Sequence, residues 1–160
     1  MNRPETDPTI RDGERAVALP AATDAGVYFI GRIHTPYTDR SECPRQGRAD
    51  GPECEIEVFE PWAAALEGIE NAPRIEVLYW LHEARRDLVA QVPRHHGERR
   101  GTFALRSPVR PNPIGTLVVP LVAVRGNRLI VRGLDCLDGT PLIDIKPERC
   151  AFGPAPANQP

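Results

Sequence analysis

Residues 54–81 read CEIEVFEPWAAALEGIENAPRIEVLYWL. The first six alternate in period two, with Ile56 and Val58 on one face and Glu55 and Glu57 on the other, the pattern of a half-buried strand. Glu60-Pro61 closes that strand and opens a short helix over residues 61–69, with proline at the first helical position. Trp62, Leu66 and Ile69 recur at helical spacing and are expected to cap the core. Residues 74–81 return as a second strand. Its later half is apolar on both faces, which predicts a central strand covered on both sides.

Working outward, residues 27–33 (VYFIGRI) form a β-branched and aromatic strand, with Gly31 expected at a bulge. A long loop over residues 34–53 separates it from the 54–59 strand. A loop of that length inside a compact domain usually carries function. On the other side, residues 83–92 fit a helix or a loop equally well. Residues 102–105 predict a short strand and 114–124 a long one, with Pro120 at an edge or bulge. Arg125-Gly126-Asn127 turns the chain into a strand over 128–132, and 142–145 is the last strand. The 18 prolines and 13 glycines punctuate the chain too often for long helices. Many short strands, one or two short helices and no βαβ alternation predict an all-β fold, a barrel or sandwich. The absence of GxGxxG after a strand gives no support to a Rossmann site. Residues 1–25 are polar and read as a flexible arm with a short strand near 16–19. Residues 151–160 are low in complexity and read as a tail, leaving 26–150 as the folded domain.

At 160 residues, 41% hydrophobic and 26% charged, the chain suits one domain. A net charge of −2 and a pI near 6.1 exclude a generally basic nucleic-acid binder, so any RNA contact must come from a local patch. Arg94, Arg99 and Arg100, around His95 and His96, form the one obvious cluster. It reads either as an RNA-facing loop or as a solvated one. The two histidines lack supporting ligands at metal spacing, and no metal is expected. The four cysteines form no CxxC pair. The polar opening residues resemble no signal peptide, and no apolar run is long enough to cross a bilayer. These features predict a cytoplasmic protein with reduced thiols.

Three polar segments are not explained by a core. The first is residues 43–47 (CPRQG). The second is residues 106–115 (RSPVRPNPIG), where three prolines restrict the backbone and make a stiff ribbon. It presents Arg106, Arg110 and Asn112 toward phosphate, ribose or base edges, or it is a stiff structural loop. The third is residues 134–147 (LDCLDGTPLIDIKP). Asp135 and Asp138 there could hold ribose hydroxyls, favour a sulfonium charge or accept a proton. They could equally cap turns. Asp144 and Lys146 share one strand face and could be a simple ion pair. His82, at the end of YWLH, reads first as a satisfied core histidine.

IGRIHTPY (30–37), PRQ (44–46), YWLH (79–82), RSPVRPNPIG and LDCLDGTPLIDIKP together resemble the TsaA-like family, also called the TrmO family. The resemblance covers about residues 27–147. It implies a small β-barrel that works as a homodimer, binds S-adenosylmethionine and methylates N6 of threonylcarbamoyladenosine beside the anticodon of tRNA. The cofactor contacts it implies are Pro44, Arg45, Gln46, Leu81, His82, Arg106, Leu134, Asp135, Cys136, Leu137 and Asp138. Asp138 or Asp144 is the candidate base. Arg94, Arg99, Arg100, Arg110, Asn112 and Lys146 are the candidate tRNA contacts. Two departures weaken the acceptor assignment. Glu148 stands where members often have an aromatic residue, and larger members carry a C-terminal domain beyond the stretch matched here. Methylation of another small acceptor, or S-adenosylmethionine binding without catalysis, therefore stand as alternatives.

Overall fold

The structure is a computed structural model that describes residues 9–94 and 97–150. Its strands are β1 (Arg15–Ala16), β2 (Gly31–His34), β3 (Glu53–Val58), β4 (Arg74–Trp80), β5 (Leu88–Gln91), β6 (Arg100–Gly101), β7 (Ile114–Arg125), β8 (Arg128–Arg132) and β9 (Thr140–Pro147). The described residues gather into two compact units. One contains residues up to Gly26 and His82–Ile114; the other contains Val27–Leu81 and the chain from Gly115 onward.

The larger unit is a closed six-stranded barrel in the order β2-β3-β8-β7-β4-β9. Closure leaves no unpaired edge. The alternation in residues 54–59 sends Cys54, Ile56 and Val58 into the core. On the other face, Arg128 of β8 pairs with both Glu55 and Glu57. Ile33, Ile56, Ile75, Val77, Leu129 and Leu142 are each 0% exposed, so the strands that carry them are committed to one register. Gly31 makes regular pairs with Val58 and Leu142 and is not a bulge. Glycine is needed there because a Cβ would lie 2.1 Å from the Glu57 carbonyl oxygen.

Several expectations change. β4 is not covered on both faces: Ile75, Val77 and Tyr79 are buried, while Arg74, Glu76, Leu78 and Trp80 are half-buried. A small barrel has one interior, so a strand within it needs only one apolar face. The apolar surplus is partly used outside, where Phe29 lies 6.2 Å from Trp80 and Tyr28 lies 5.9 Å from Trp62, ring centre to ring centre. The helix over residues 61–69 is instead two 3-10 helices, Trp62–Leu66 and Ile69–Asn71, interrupted by Gly68 at φ 86°. Pro61 precedes the first of them and follows a cis peptide bond. Leu66 is nevertheless buried, and Trp62 and Ile69 pack on the core as the spacing predicts. β9 is longer than expected, and its pairing with β4 slips between Leu78 and Tyr79. Just past Pro120, the β7–β8 register shifts between Leu121 and Ala123, consistent with the expected irregularity there.

The smaller unit holds the three-stranded sheet β1-β5-β6. The undecided stretch 83–92 supplies β5, and the segment read as an arm supplies β1, with Arg15 opposite Ala90. Residues 102–105 are not a strand: Thr102–Ala104 is a 3-10 helix. Its buried anchor explains why. The Thr102 hydroxyl donates to the Leu88 carbonyl at 2.7 Å and accepts from Gln91 Nε2 at 2.9 Å. Gln91 also donates to the Val109 carbonyl at 2.8 Å, so the buried polar groups are satisfied locally. Among the described residues, no helix is long and apolar enough to cross a membrane.

Candidate functional site

The aspartate-rich loop leaves β8 through Gly133, and the CPRQG loop lies directly on it. Gly133 has φ 82°, and a Cβ there would sit 1.7 Å from the Arg48 carbonyl oxygen. A Cβ on Gly47 would lie 2.0 Å from the Gly133 carbonyl oxygen. Only glycines permit this backbone approach. Asp135 then ties the two loops to the barrel wall. One carboxylate oxygen accepts the Tyr79 phenol at 2.6 Å, and the other accepts the Gly47 amide at 3.1 Å. Tyr79 can take this position because Gly115 leaves room: a Cβ there would fall 2.2 Å from the ring.

The HTPY segment after β2 is laced to the same loop. The Thr35 hydroxyl donates to the Cys136 carbonyl at 2.8 Å, and the Thr35 amide donates to Asp138 Oδ1 at 3.2 Å. In return, the Asp138 amide donates to the Tyr37 carbonyl at 2.7 Å and the Gly139 amide to the Ile33 carbonyl at 2.9 Å. Asp138 itself remains 45% exposed, with His34 Nδ1 3.5 Å away. The other nitrogen of His34 lies 3.3 Å from Glu57. Further along the loop, Glu42 accepts from the amides of Asp39 and Thr38, which holds its carboxyl below the usual range. Asp39 is lowered likewise by the hydroxyl and amide of Ser41. Burial, reinforced by the Asp135 charge, pushes the Cys43 thiol up, and burial raises the Tyr37 phenol.

The structure therefore joins two of the three polar segments, CPRQG and LDCLD, within the barrel unit. Pro44 is half-buried, and Arg45 and Gln46 are exposed on this cluster; Leu137 is half-buried beside exposed Asp138. Leu134 and Cys136 belong to the core at 0% and 2% exposure, and burial drives the Cys136 thiol far above its ordinary range. Their side chains are core groups, which leaves the backbone for any ligand contact. Both oxygens of Asp135 are engaged in the tie. Leu81 packs on the core at the last position of the barrel unit's first stretch, Val27–Leu81.

The two candidate bases occupy different settings. Asp138 is in the loop cluster before β9. Asp144 lies within β9 opposite Leu78, 2.5 Å from Lys146 Nζ, so the ion-pair reading of that strand face is the one observed. That pairing raises the Lys146 pKa.

The remaining candidates belong to the smaller unit. His82 is exposed, not a core histidine, because the barrel strand ends at Trp80 and the burial alternation with it. Arg106 is exposed. Arg110 does not present itself outward: it donates to the carbonyls of Leu105 and Ser107 at 3.3 and 3.1 Å. Asn112 Oδ1 lies 3.4 Å from the Arg86 guanidinium, which also donates to the Pro111 carbonyl at 2.6 Å. A proline-rich turn leaves carbonyls without partners, and arginines of the same unit supply them. Arg94, Arg99 and Arg100 are exposed, with Arg100 paired to Glu98; His95 and His96 lie outside the described residues. Sequence reasoning missed His34, Thr35, Gly47, Tyr79 and Gly133. HTPY and the glycines were visible as motif letters, whereas Tyr79 sat within an apolar run that reads as core.

A small closed barrel with two loops laced together over one end, carrying exposed Asp138, Arg45 and Gln46, defines a loop-built site of mixed charge. The chain belongs to the TrmO family: residues 32–150 match the family described as tRNA-methyltransferase O N-terminal domain. A Rhizobium radiobacter protein named "Probable S-adenosyl-L-methionine-binding protein VirR" is 56% identical over 145 residues, covering 91% of this chain and 83% of that protein. An Archaeoglobus fulgidus protein named "S-adenosyl-L-methionine-binding protein" is 49% identical over 117 residues, 73% of this chain and 84% of that one. The crystal structure of TrmO from Pseudomonas aeruginosa superposes with a TM-score of 0.64 at 33% identity, covering 82% of this chain and 61% of that one. The chain thus spans about three fifths of the solved TrmO chain.

Proposed function

We propose that the barrel's loop cluster binds S-adenosylmethionine and that the protein transfers its methyl group to N6 of threonylcarbamoyladenosine in tRNA. The observation that carries this reading is the Asp135 tie. It fixes the PRQ loop against the LDCLD loop and leaves a carboxylate, a guanidinium and an amide exposed on one rigid cluster. That donor set fits a ligand bearing both signs of charge: Asp138 suits a sulfonium or ammonium, Arg45 a carboxylate, and Gln46 ribose or base edges. When bound, S-adenosylmethionine supplies a methyl group already activated on positive sulfur.

The chain's own residues then position and deprotonate. N6 of the acceptor is conjugated to both ring and carbamoyl group and is acidic for an adenine nitrogen, so a modest base suffices. Asp138, exposed and held from below by the Thr35 amide, accepts that proton as the nitrogen–methyl bond forms. Asp144, occupied by Lys146, supports the strand instead. The loop cluster contributes by alignment, which can supply much of the acceleration of an in-line displacement. The cationic surface around Arg94, Arg99 and Arg100 meets the tRNA backbone. The protein acts in the cytoplasm as a homodimer.

One observation favours a second reading, cofactor binding without tRNA methylation. The relatives whose names state S-adenosylmethionine binding alone are 56% and 49% identical, whereas the solved TrmO is 33% identical. Calorimetric titration with S-adenosylmethionine, followed by methyl transfer to tRNA bearing threonylcarbamoyladenosine, separates the two. Binding with transfer supports the enzyme, binding without transfer supports the second reading, and no binding removes both.

A further inference from the structure

The most exposed large apolar side chain among those described is Phe103, at 82%. Its base is rigid. Thr102, immediately before it, is 3% exposed and locked between the Leu88 carbonyl and Gln91, and β6 just upstream is paired to β5. The ring is therefore held out to solvent by a buried polar anchor rather than left on a loose loop. Next to it, Ala104 and Leu105 line an open concavity of about 340 Å³ together with Pro93, Glu98 and Arg100.

The surroundings select the occupant. Residues 82–114 hold seven arginines against Glu83, Asp87 and Glu98, a formal +4, in a chain whose total is −2. Arg99, Arg100 and Arg106, all exposed, flank Phe103 in sequence. A two-fold contact between copies centred on Phe103 would set these arginines against their own equivalents, which like-charge repulsion opposes. A polyanion that also offers flat apolar faces suits both features at once. An aromatic side chain among cationic groups is how proteins commonly hold unpaired nucleotides: the charges track phosphates and the ring takes a base.

We infer that Phe103 is a base-stacking platform for an unpaired nucleotide of the tRNA substrate, with Arg99, Arg100 and Arg106 holding the adjoining phosphates. This rests on the tRNA reading above and adds to it a residue that separates looped from paired RNA. The ring's exposure means that its replacement removes little packing, so variants should fold as the parent does, which circular dichroism checks.

The test is fluorescence anisotropy with a labelled anticodon stem–loop and a fully paired RNA of equal length, using the full chain. Phe103→Ala weakens stem–loop binding about tenfold, the order expected for loss of one stacked base, and leaves duplex binding unchanged. Phe103→Trp retains stem–loop affinity, and its added fluorescence is quenched on binding. Arg99→Ala weakens both RNAs and lowers the salt dependence. Equal stem–loop affinity for parent and Phe103→Ala overturns the inference while leaving the tRNA reading intact. Loss of a dimer in Phe103→Ala by light scattering, with stem–loop affinity unchanged, also overturns it and makes the ring a contact between copies. No RNA binding by the parent, with S-adenosylmethionine still bound, overturns the tRNA reading itself.

Discussion

The Tyr79 phenol donates to Asp135 at 2.6 Å across 56 residues of sequence, joining the wall of the barrel to the loop that the CPRQG segment rests on. Both oxygens of Asp135 are engaged, so its carboxylate ties the two loops to the barrel wall. Asp135→Ala is therefore expected to weaken S-adenosylmethionine binding more than tenfold, because charge-assisted hydrogen bonds contribute about 1.5–3 kcal/mol. Tyr79→Phe removes one of the two bonds, leaves the Gly47 contact and should cost less than Asp135→Ala. Calorimetry on both variants measures this; equal effects would remove Asp135 from its organising role.

Two left-handed glycines provide a contrast. Gly133 and Gly139 have φ 82° and 79°, but a Cβ at Gly133 meets the Arg48 carbonyl, whereas at Gly139 nothing lies within 4 Å. Gly139→Ala should cost about 1 kcal/mol for the backbone conformation alone. Gly133→Ala must in addition push the 44–51 loop away, and is expected to abolish cofactor binding and lower the melting temperature by several degrees more. Thermal unfolding with and without S-adenosylmethionine distinguishes the two.

Asp138 and Asp144 differ in setting and should differ in kinetics. Asp138→Asn removes the proposed proton acceptor and is expected to lower the single-turnover rate on the order of a hundredfold, the usual scale of general-base catalysis. Asp144→Asn breaks an exposed ion pair of small energetic weight and should leave the rate within about twofold. The reverse order would move the chemistry onto β9.

The loop over residues 38–42 should respond to acid. The Glu42 carboxyl is held down by the amides of Asp39 and Thr38, and Asp39 by Ser41. A lowered folded pKa adds stability that is complete above the ordinary values of 4.5 and 3.8 and fades as pH falls through the lowered ones. Amide resonances of Thr38, Asp39 and Ser41 should therefore stay fixed from neutral pH down through the ordinary carboxyl values of 4.5 and 3.8 and shift only below them. Movement of these amides near neutral pH would contradict the assignment.

The barrel was legible where alternation is clean. Residues 54–59 announce β3 because its outward face carries Glu55 and Glu57. β5 was not legible: in LVAQ only Val89 faces out and Gln91 is buried, which erases the period of two. Thr-Phe-Ala reads as strand-forming, yet a single buried hydroxyl anchor makes it a 3-10 turn. The same limit applies to the site. Asp138 and PRQ stood out as polar letters in rigid company. The tie itself needs a phenol from one strand, a carboxylate from one loop and an amide from another, and no local pattern encodes that meeting. The glycines at 47, 115 and 133 were its trace, since each sits where a neighbouring atom takes the place of a side chain.

The most direct test of the proposed activity is methyl transfer from labelled S-adenosylmethionine to two preparations of one tRNA, with and without the threonylcarbamoyl group, followed by nucleoside analysis. The account predicts label on N6 of threonylcarbamoyladenosine in the first and none in the second. Label on both, on another nucleoside, or on neither while the cofactor binds, would contradict it.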